Sequence, residues 1–370
     1  MAPPNNAPVV GIDASRMTVS ERTGTENYSD RIIRGLLTED VPWRWRLYAN
    51  ANQADFPIPA SSQVEIRAIP SRRLWTHYRL SRDILVNRPD LLFVPAHVVP
   101  LVHPRTVVTI HDLGYLHYPD THPPRQRRML DITTRWSAKV AKHIIVPSNA
   151  TRDDLITCYG VPPERISTVH HGVDDRFHHA DRSHEPDIRA RYALARPFIL
   201  VVGTIQPRKN LPALARALAR SGLDHDLVIA GKPGWMSDQV MTELIRSGLG
   251  SRIRTLGYVP DADLPDLYAA ADLFVQPSHF EGFGMPVLEA MATGTPVICA
   301  SGSSLNEIAG TGAEFFDPDD SVTLASLLVS IVTNPDRKNE LSHRGRAWSS
   351  RFTWERAAQE TRSILERTLI

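Results

Sequence analysis

Residues 273–300 read LFVQPSHFEGFGMPVLEAMATGTPVICA. Leu273 to Gln276 and Pro296 to Ala300 are short apolar runs of the length of buried strands. Between them, Gly282 and Gly284 permit a tight turn, and Pro286 suits the start of a helix, which the spacing predicts from about Met285. Strand, glycine turn, helix and second strand form one β-α-β unit, the building block of a parallel sheet covered by helices.

The same alternation extends in both directions. Upstream runs are Val9 to Ile12, Trp45 to Ala49, Val64 to Ile69, Leu91 to Pro95, Thr106 to Ile110, Ile144 to Pro147 and Ile166 to Val169. Around the opening stretch lie Phe198 to Val202, Leu227 to Ala230, Ile253 to Leu256 and Glu314 to Phe316. Runs rich in Val, Ile and Leu suit sheets buried on both faces, so the class is α/β. Several runs end in a polar residue, at His111, Ser148 and His170, and in open α/β sheets ligands bind at those carboxyl ends. The polar loop Asp174 to Pro186 separates the two series. With 370 residues, two domains are expected, 1–180 and 181–352, enclosing a cleft. Residues 353–370 have helical spacing and are expected as a last helix packing back toward the N-terminal domain. No repeat between the halves is evident.

The 42 Lys and Arg nearly balance the 41 Asp and Glu, which gives no footprint for nucleic-acid binding. Charge is nevertheless uneven: between Ser61 and Ile145 there are 13 Arg and Lys against 6 Asp and Glu. This basic region includes Arg72, Arg73, Arg79, Arg82, Arg125, Arg127, Arg128, Arg135, Lys139 and Lys142. It reads as a solvated face, with contact to an anionic membrane as the rival reading. Cys158 and Cys299 show neither disulfide nor zinc spacing and fit a reducing compartment. The first eight residues carry no signal-peptide pattern and read as a frayed tail; no apolar stretch has the length of a membrane span.

Glu281 falls in the glycine loop and Glu289 about one turn into the helix, so the two carboxylates address different parts of one ligand. The helix start, with its dipole, favours an anion. The spacing Glu281-x7-Glu289, with Gly-Phe-Gly between and AMATGTP after, resembles the signature of the retaining glycosyltransferases of family 4. The resemblance continues in residues 146–155 (VPSNATRDDL), 159–166 (YGVPPERI), 171–174 (HGVD), 203–211 (GTIQPRKNL) and 257–260 (GYVP), and so covers nearly the whole chain.

The resemblance implies the GT-B fold, two Rossmann-like α/β domains with a central cleft. It makes 1–180 the acceptor-binding and 181–352 the nucleotide-sugar-binding domain. It gives Glu289 the ribose hydroxyls of the donor, Glu281 the donor sugar, and the backbone N–H groups of Phe283 and Gly284 the sugar or diphosphate. Fixed cations lower the barrier to departure of a diphosphate. The family pattern has an Arg where this chain has Thr204, and a Lys five residues on, matched by Lys209; Arg208 is the candidate to replace the missing guanidinium. Lys232 is a weaker cation candidate. Tyr258 and Val259 lie where base selectivity is expected. In the first half the resemblance brings His111 to the donor sugar, while Gly24 and Thr25 stand in a reduced glycine loop near the phosphate. No G-x-G-x-x-G follows the first strand, which argues against a dinucleotide oxidoreductase.

Asp261-Ala-Asp263 and Asp317-Pro-Asp319 look like the Asp-x-Asp of metal-dependent glycosyltransferases, but they lie among turn residues and read as structural. No metal ligand and no cofactor are expected. The expected activity is transfer of a sugar, mannose as first guess, to a glycan or lipid-linked hydroxyl acceptor in surface polysaccharide or lipopolysaccharide synthesis. The donor is GDP-mannose-like, with UDP-glucose as nearest competitor. The expected location is cytoplasmic, or peripheral at the inner face of the membrane. Rival readings are a sugar-nucleotide 2-epimerase of the same fold and a non-catalytic nucleotide-sugar binder.

Overall fold

The computed structural model describes residues 7–19, 22–38, 40–51, 56–71 and 74–370. Arg72 and Arg73 of the basic region, and residues 1–6 of the expected tail, lie outside these. The chain divides into two compact units. The first holds Met1–Leu113, Arg128–Gly172 and Trp354–Ile370, the second Gly114–Arg127 and Val173–Thr353.

The first unit is built on β1 (Val9–Asp13), β2 (Arg44–Ala49), β3 (Val64–Ala68), β4 (Leu91–Val94), β5 (Arg105–Thr109), β6 (His143–Val146) and β7 (Ile166–Thr168), in the order β3-β2-β1-β4-β5-β6-β7. Every pairing is parallel. Every residue of β4 is buried, as its unbroken LLFV run requires in a sheet covered on both faces. Helix Trp354–Leu369 belongs to this unit, where Ala358 presses on Gly35 so closely that a Cβ at 35 would lie 2.8 Å from that of Ala358.

The second unit repeats the plan with β8 (Phe198–Val202), β9 (Asp226–Ala230), β10 (Ile253–Gly257), β11 (Leu273–Gln276), β12 (Val297–Ala300) and β13 (Glu314–Phe316), ordered β10-β9-β8-β11-β12-β13 and again parallel. Helix Leu211–Ser221 turns Leu211, Leu214, Ala215 and Leu218 to this core at the i, i+3, i+4, i+7 spacing of one helical face. Each leucine so buried contributes roughly 1.5–3 kcal/mol relative to exposure.

Both sheets reverse their winding once, between β1 and β4 and between β8 and β11. Loops leaving those neighbouring strands diverge and open a crevice at the carboxyl ends. The expected division at 180 differs from the observed one in two places: the chain passes into the second unit at Val173, and Gly114–Arg127 also group there. Ring contacts and a hydrogen bond hold that segment. His117 stacks on Phe280 with centroids 5.0 Å apart, Tyr118 stacks on His279 at 5.4 Å, and Trp235 Nε1 donates to the Thr121 carbonyl at 2.5 Å.

Candidate active site

In the second unit the reversal sets the loop after β8 beside the loop after β11, and this brings Lys209 to Glu281. Beyond β8 the chain passes Gly203 (φ +143°) and makes a short turn over Pro207–Lys209 before helix Leu211–Ser221 begins. The backbones after β8 and β9 touch: a Cβ on Gly231 would fall 1.9 Å from the Gly203 carbonyl oxygen. Gly203 itself leaves room for the lysine, since a Cβ there would lie 3.3 Å from Lys209 Cε and Nζ. Lys209 Nζ donates to Glu281 Oε1 at 2.6 Å, and Arg208 Nη1 lies 3.3 Å from Glu281 Oε2 while also donating to the Phe280 carbonyl. All three side chains are buried.

Gln276, the last residue of β11, donates through Nε2 to Glu281 Oε1 at 2.7 Å and to Ser278 Oγ at 2.8 Å. The loop is fixed from the other side by Ser304, whose hydroxyl donates to the carbonyls of Glu281 (2.8 Å) and Phe283 (3.0 Å), and by Ser303, which accepts from Glu281 N at 3.1 Å. Burial alone would push the Glu281 carboxyl up; Lys209 and Arg208 outweigh it and hold the group at about 2. Glu281 is therefore a carboxylate at every physiological pH, and the cluster of two cations and one anion keeps one net positive charge.

Gly284 precedes helix Met285–Ala292 in the left-handed region (φ +103°), as expected for a glycine there. One turn into this helix Glu289 is buried and accepts from Tyr268 Oη at 2.8 Å. Burial pushes its carboxyl up to about 7, against the Tyr268 bond and the more distant Arg176; Asp261 and Asp174 add to the rise. The two glutamates share no hydrogen-bond partner and sit in opposite electrostatic surroundings.

Thr204 is half-buried and packs its methyl on Gly234, where a Cβ would approach Thr204 Cγ2 to 2.6 Å. No guanidinium arises from position 204; the one at the carboxylate belongs to Arg208. Tyr258, just beyond β10, carries Lys232 Nζ 5.0 Å from its ring centroid, and Val259 is buried beside it. Asp263 is bound by Arg191 and by Tyr192 Oη, a tertiary contact, and Asp317 accepts from Asp319 N at 2.9 Å, a turn contact.

The first unit gathers a second group at its carboxyl edge. His111, after β5, is buried, and its Nε2 contacts the Pro95 carbonyl at 2.9 Å. A carbonyl only accepts, so Nε2 carries the proton and Nδ1 keeps a lone pair. Burial, with His97 adding to it, lowers His111 to about 4, so the ring is neutral. Tyr28 meets the rings of His111 and His171 at 4.9 and 4.4 Å, and Trp354 stacks on His171 at 5.9 Å. Gly24 opens helix Gly24–Thr38 with open space around it, so packing does not demand a glycine. Thr25 lies in the first turn of that helix. The turn is closed by Glu26, which accepts from Thr23 N at 3.1 Å and from the Thr23 hydroxyl.

Among the residues of these groups that were not singled out in the sequence are Gln276, Tyr268 and Glu26. Thr23-x-x-Glu26 is a capping-box pattern and was available as a signal. The other two had none, because a polar residue ending a strand or a tyrosine inside an apolar helix face is ordinary.

Family models describe both parts of the chain. "Glycosyltransferase Family 4" matches residues 24–177 and "Glycosyl transferases group 1" residues 185–348. Among curated proteins, the chain is 32% identical over 298 residues to O-antigen chain mannosyltransferase B of Escherichia coli, covering 79% of this chain and 76% of that one. It is 29% identical over 263 residues to O-antigen chain mannosyltransferase RfbU of Salmonella typhimurium, covering 70% of each. Among solved structures, sucrose-phosphate synthase from Thermosynechococcus elongatus superposes with a TM-score of 0.78 at 20% identity, over 98% of this chain and 99% of that one. Anabaena HepE in complex with UDP and glucose gives 0.74 at 20% identity, over 98% and 100%.

Proposed function

The chain belongs to glycosyltransferase family 4, with its GT-B fold, and from that premise we propose that it moves a hexose, mannose in the first instance, from a nucleoside-diphosphate sugar to a hydroxyl of a glycan or lipid-linked acceptor, with retention at the anomeric carbon, in assembly of a bacterial surface polysaccharide. The names of the two O-antigen mannosyltransferases support the sugar and the setting.

The observation that carries the reading is the buried Lys209–Glu281–Arg208 cluster beside a glycine turn and a helix start. As the bond between the anomeric carbon and the diphosphate breaks, charge grows on the departing oxygen. Lys209, Arg208 and the backbone N–H groups of Phe283 and Gly284 meet that charge without reorganising. The acceptor oxygen attacks from the same face and its proton passes to the leaving phosphate oxygen, so no protein nucleophile is required. Glu281, ionised throughout, orients the two cations and accepts from sugar hydroxyls. Glu289 takes the ribose hydroxyls, and Tyr258 and Val259 border the base. In the first unit His111 accepts a sugar hydroxyl at Nδ1, with Gly24 and Thr25 toward the phosphate. On this reading the donor is a substrate and no cofactor takes part.

We place the protein in the cytoplasm, touching the inner face of the membrane. Cys158 and Cys299 are unpaired thiols. Among the described residues, no helix is long and apolar enough to cross a membrane. Exposed Leu85 and Val86 lie near Arg82, and exposed Met129 and Ile132 near Arg128 and Arg135, a mixture that suits an anionic lipid surface.

A thermal-shift panel of GDP-mannose, UDP-glucose and related donors identifies the ligand, because binding to the native state raises apparent stability. The expected result is stabilisation by GDP-mannose above all others, and nucleoside diphosphate release only when acceptor is added. Stabilisation by UDP-glucose alone would replace the donor. Interconversion of sugar nucleotides without acceptor would replace transfer by epimerisation. Co-sedimentation with anionic vesicles at low and high salt tests the membrane contact; binding unaffected by salt, or none, removes it.

A further inference from the structure

All strands of the first sheet run parallel, so their amino-terminal ends share the edge opposite His111. A groove of about 850 Å³ opens there. It is lined by Arg88 before β4, Arg105 at the start of β5, Lys139 and Lys142 before β6, Arg165 before β7, and Arg367 of the last helix. Glu164 is the one carboxylate among the lining residues. None of the six cations forms an ion pair with a described residue, whereas about half of the other described arginines pair with carboxylates.

Carbonyl oxygens hold two of these cations. Arg165 Nη2 donates to Ala138 O at 2.9 Å and also to Ala141 O, and Arg105 Nη1 donates to Leu369 O at 2.9 Å. Carbonyls fix a guanidinium in place without cancelling its charge. Helix dipoles account for Lys139 and Arg367, which lie in last turns, but not for Arg88, Arg105 or Lys142, which lie outside helices. His143, the first residue of β6 and half-buried in the groove wall, registers the resulting field: burial lowers its protonation, and Arg367 and Arg165 lower it further.

We propose that this groove is a second anion site, taking a soluble ligand with two or more linked phosphates, separate from the site around Glu281 and Lys209. A concave wall focuses the field of several cations on one point. Six cations against one carboxylate exceed what a single phosphate neutralises, which selects a di- or triphosphate group. The groove is lined by residues of the first unit alone and shares none with the Glu281 and Lys209 site of the second, so its occupant is a separate phosphorylated metabolite.

The test uses the full chain with 13C-labelled histidines, titrated by NMR with and without inorganic tripolyphosphate; His143→Asn assigns the signal. Bound anion cancels the field of Arg165 and Arg367, so the His143 midpoint is expected to rise by about one pH unit. The rise is expected to persist in Lys209→Ala, which separates this site from the donor site even if that reading fails. Lys139→Glu with Lys142→Glu is expected to weaken tripolyphosphate binding at least about tenfold, and the milder Lys139→Gln with Lys142→Gln to weaken it less. A His143 midpoint unmoved by millimolar tripolyphosphate overturns the proposal. So does a charge-reversed variant that loses binding to phosphatidylglycerol vesicles while tripolyphosphate binding is unchanged, which would make the groove a lipid-facing surface.

Discussion

The Tyr268 hydroxyl donates to Glu289 Oε2 at 2.8 Å, and both groups are buried. The Tyr268 ring is held between Phe177 and Phe274, with centroids 5.8 and 5.5 Å away, so the phenol can aim at little else. A single neutral donor does not compensate the burial of a carboxylate, and Glu289 rises to about 7.

With Glu289 in its proposed place at the ribose hydroxyls, nucleotide affinity is expected to depend on pH. An ionised carboxylate accepts two ribose hydroxyls, whereas the acid must spend a proton. The dissociation constant for nucleoside diphosphate is expected to increase as pH falls below 7, approaching tenfold per unit, and Glu289→Gln to abolish that dependence along with most of the affinity. Calorimetric titration between pH 5.5 and 8.5 checks this. For stability of the free protein the sign is opposite. The folded chain keeps a proton that the unfolded chain releases near 4.5, so this group destabilises progressively from pH 4.5 to 7, by roughly 3 kcal/mol in all.

Tyr268→Phe keeps the ring and removes the bond. A hydrogen bond to a charged group contributes about 1.5–3 kcal/mol. Nucleotide affinity is expected to fall roughly tenfold or more, with the midpoint of its pH dependence displaced upward. Loss of affinity with an unmoved midpoint would leave Tyr268 a packing residue only.

Lys209→Ala is expected to lower kcat by roughly 10²–10³, as removal of one electrostatic donor to a developing anion does. Arg208→Ala is expected to lower it to a similar degree. The double variant should lose less than the product of the two, because both cations act through one carboxylate and one diphosphate. Steady-state kinetics on the three variants decides the matter. An Arg208→Ala enzyme with undiminished kcat would mean that the guanidinium only ties down the loop.

His111 is lowered to about 4 and neutral, so the rate should show no limb from this residue between pH 5 and 8, and His111→Asn should reduce kcat without changing the profile. His97 and His171 are lowered too, each first by burial. The folded protein thus binds fewer protons than the unfolded chain below pH 6.5. Stability from this cluster is complete above 6.5 and is lost as pH falls through the folded values. Thermal melts from pH 7 to 4.5 should show a falling Tm that His111→Asn makes shallower.

The two sheets were legible because strands buried on both faces are written as unbroken Val, Ile and Leu runs, and the helix at Met285 because glycine and proline punctuate it. Glu281, Lys209 and Glu289 were legible through a long motif. The partners that define their chemistry were not. Gln276 reaches Glu281 only because a strand ends where a loop returns, and Tyr268 reaches Glu289 across two helices; neither relation has a sequence spacing. The grouping of Gly114–Arg127 with the second unit rests on His117 and Tyr118 meeting the distant rings of Phe280 and His279 and on Trp235 reaching the Thr121 carbonyl, tertiary events that polar-loop composition does not encode.

The contact of Gly203 with Gly231 sets a boundary for anyone redesigning donor choice. Because two main chains meet there with no room for even one methyl group, any other residue at 231 is expected to displace the chain after Gly203, and with it the proposed cation site at Lys209, whatever sugar is offered. Attempts to retune specificity have more freedom at Tyr258, whose half-buried ring meets Lys232, than at this crossing.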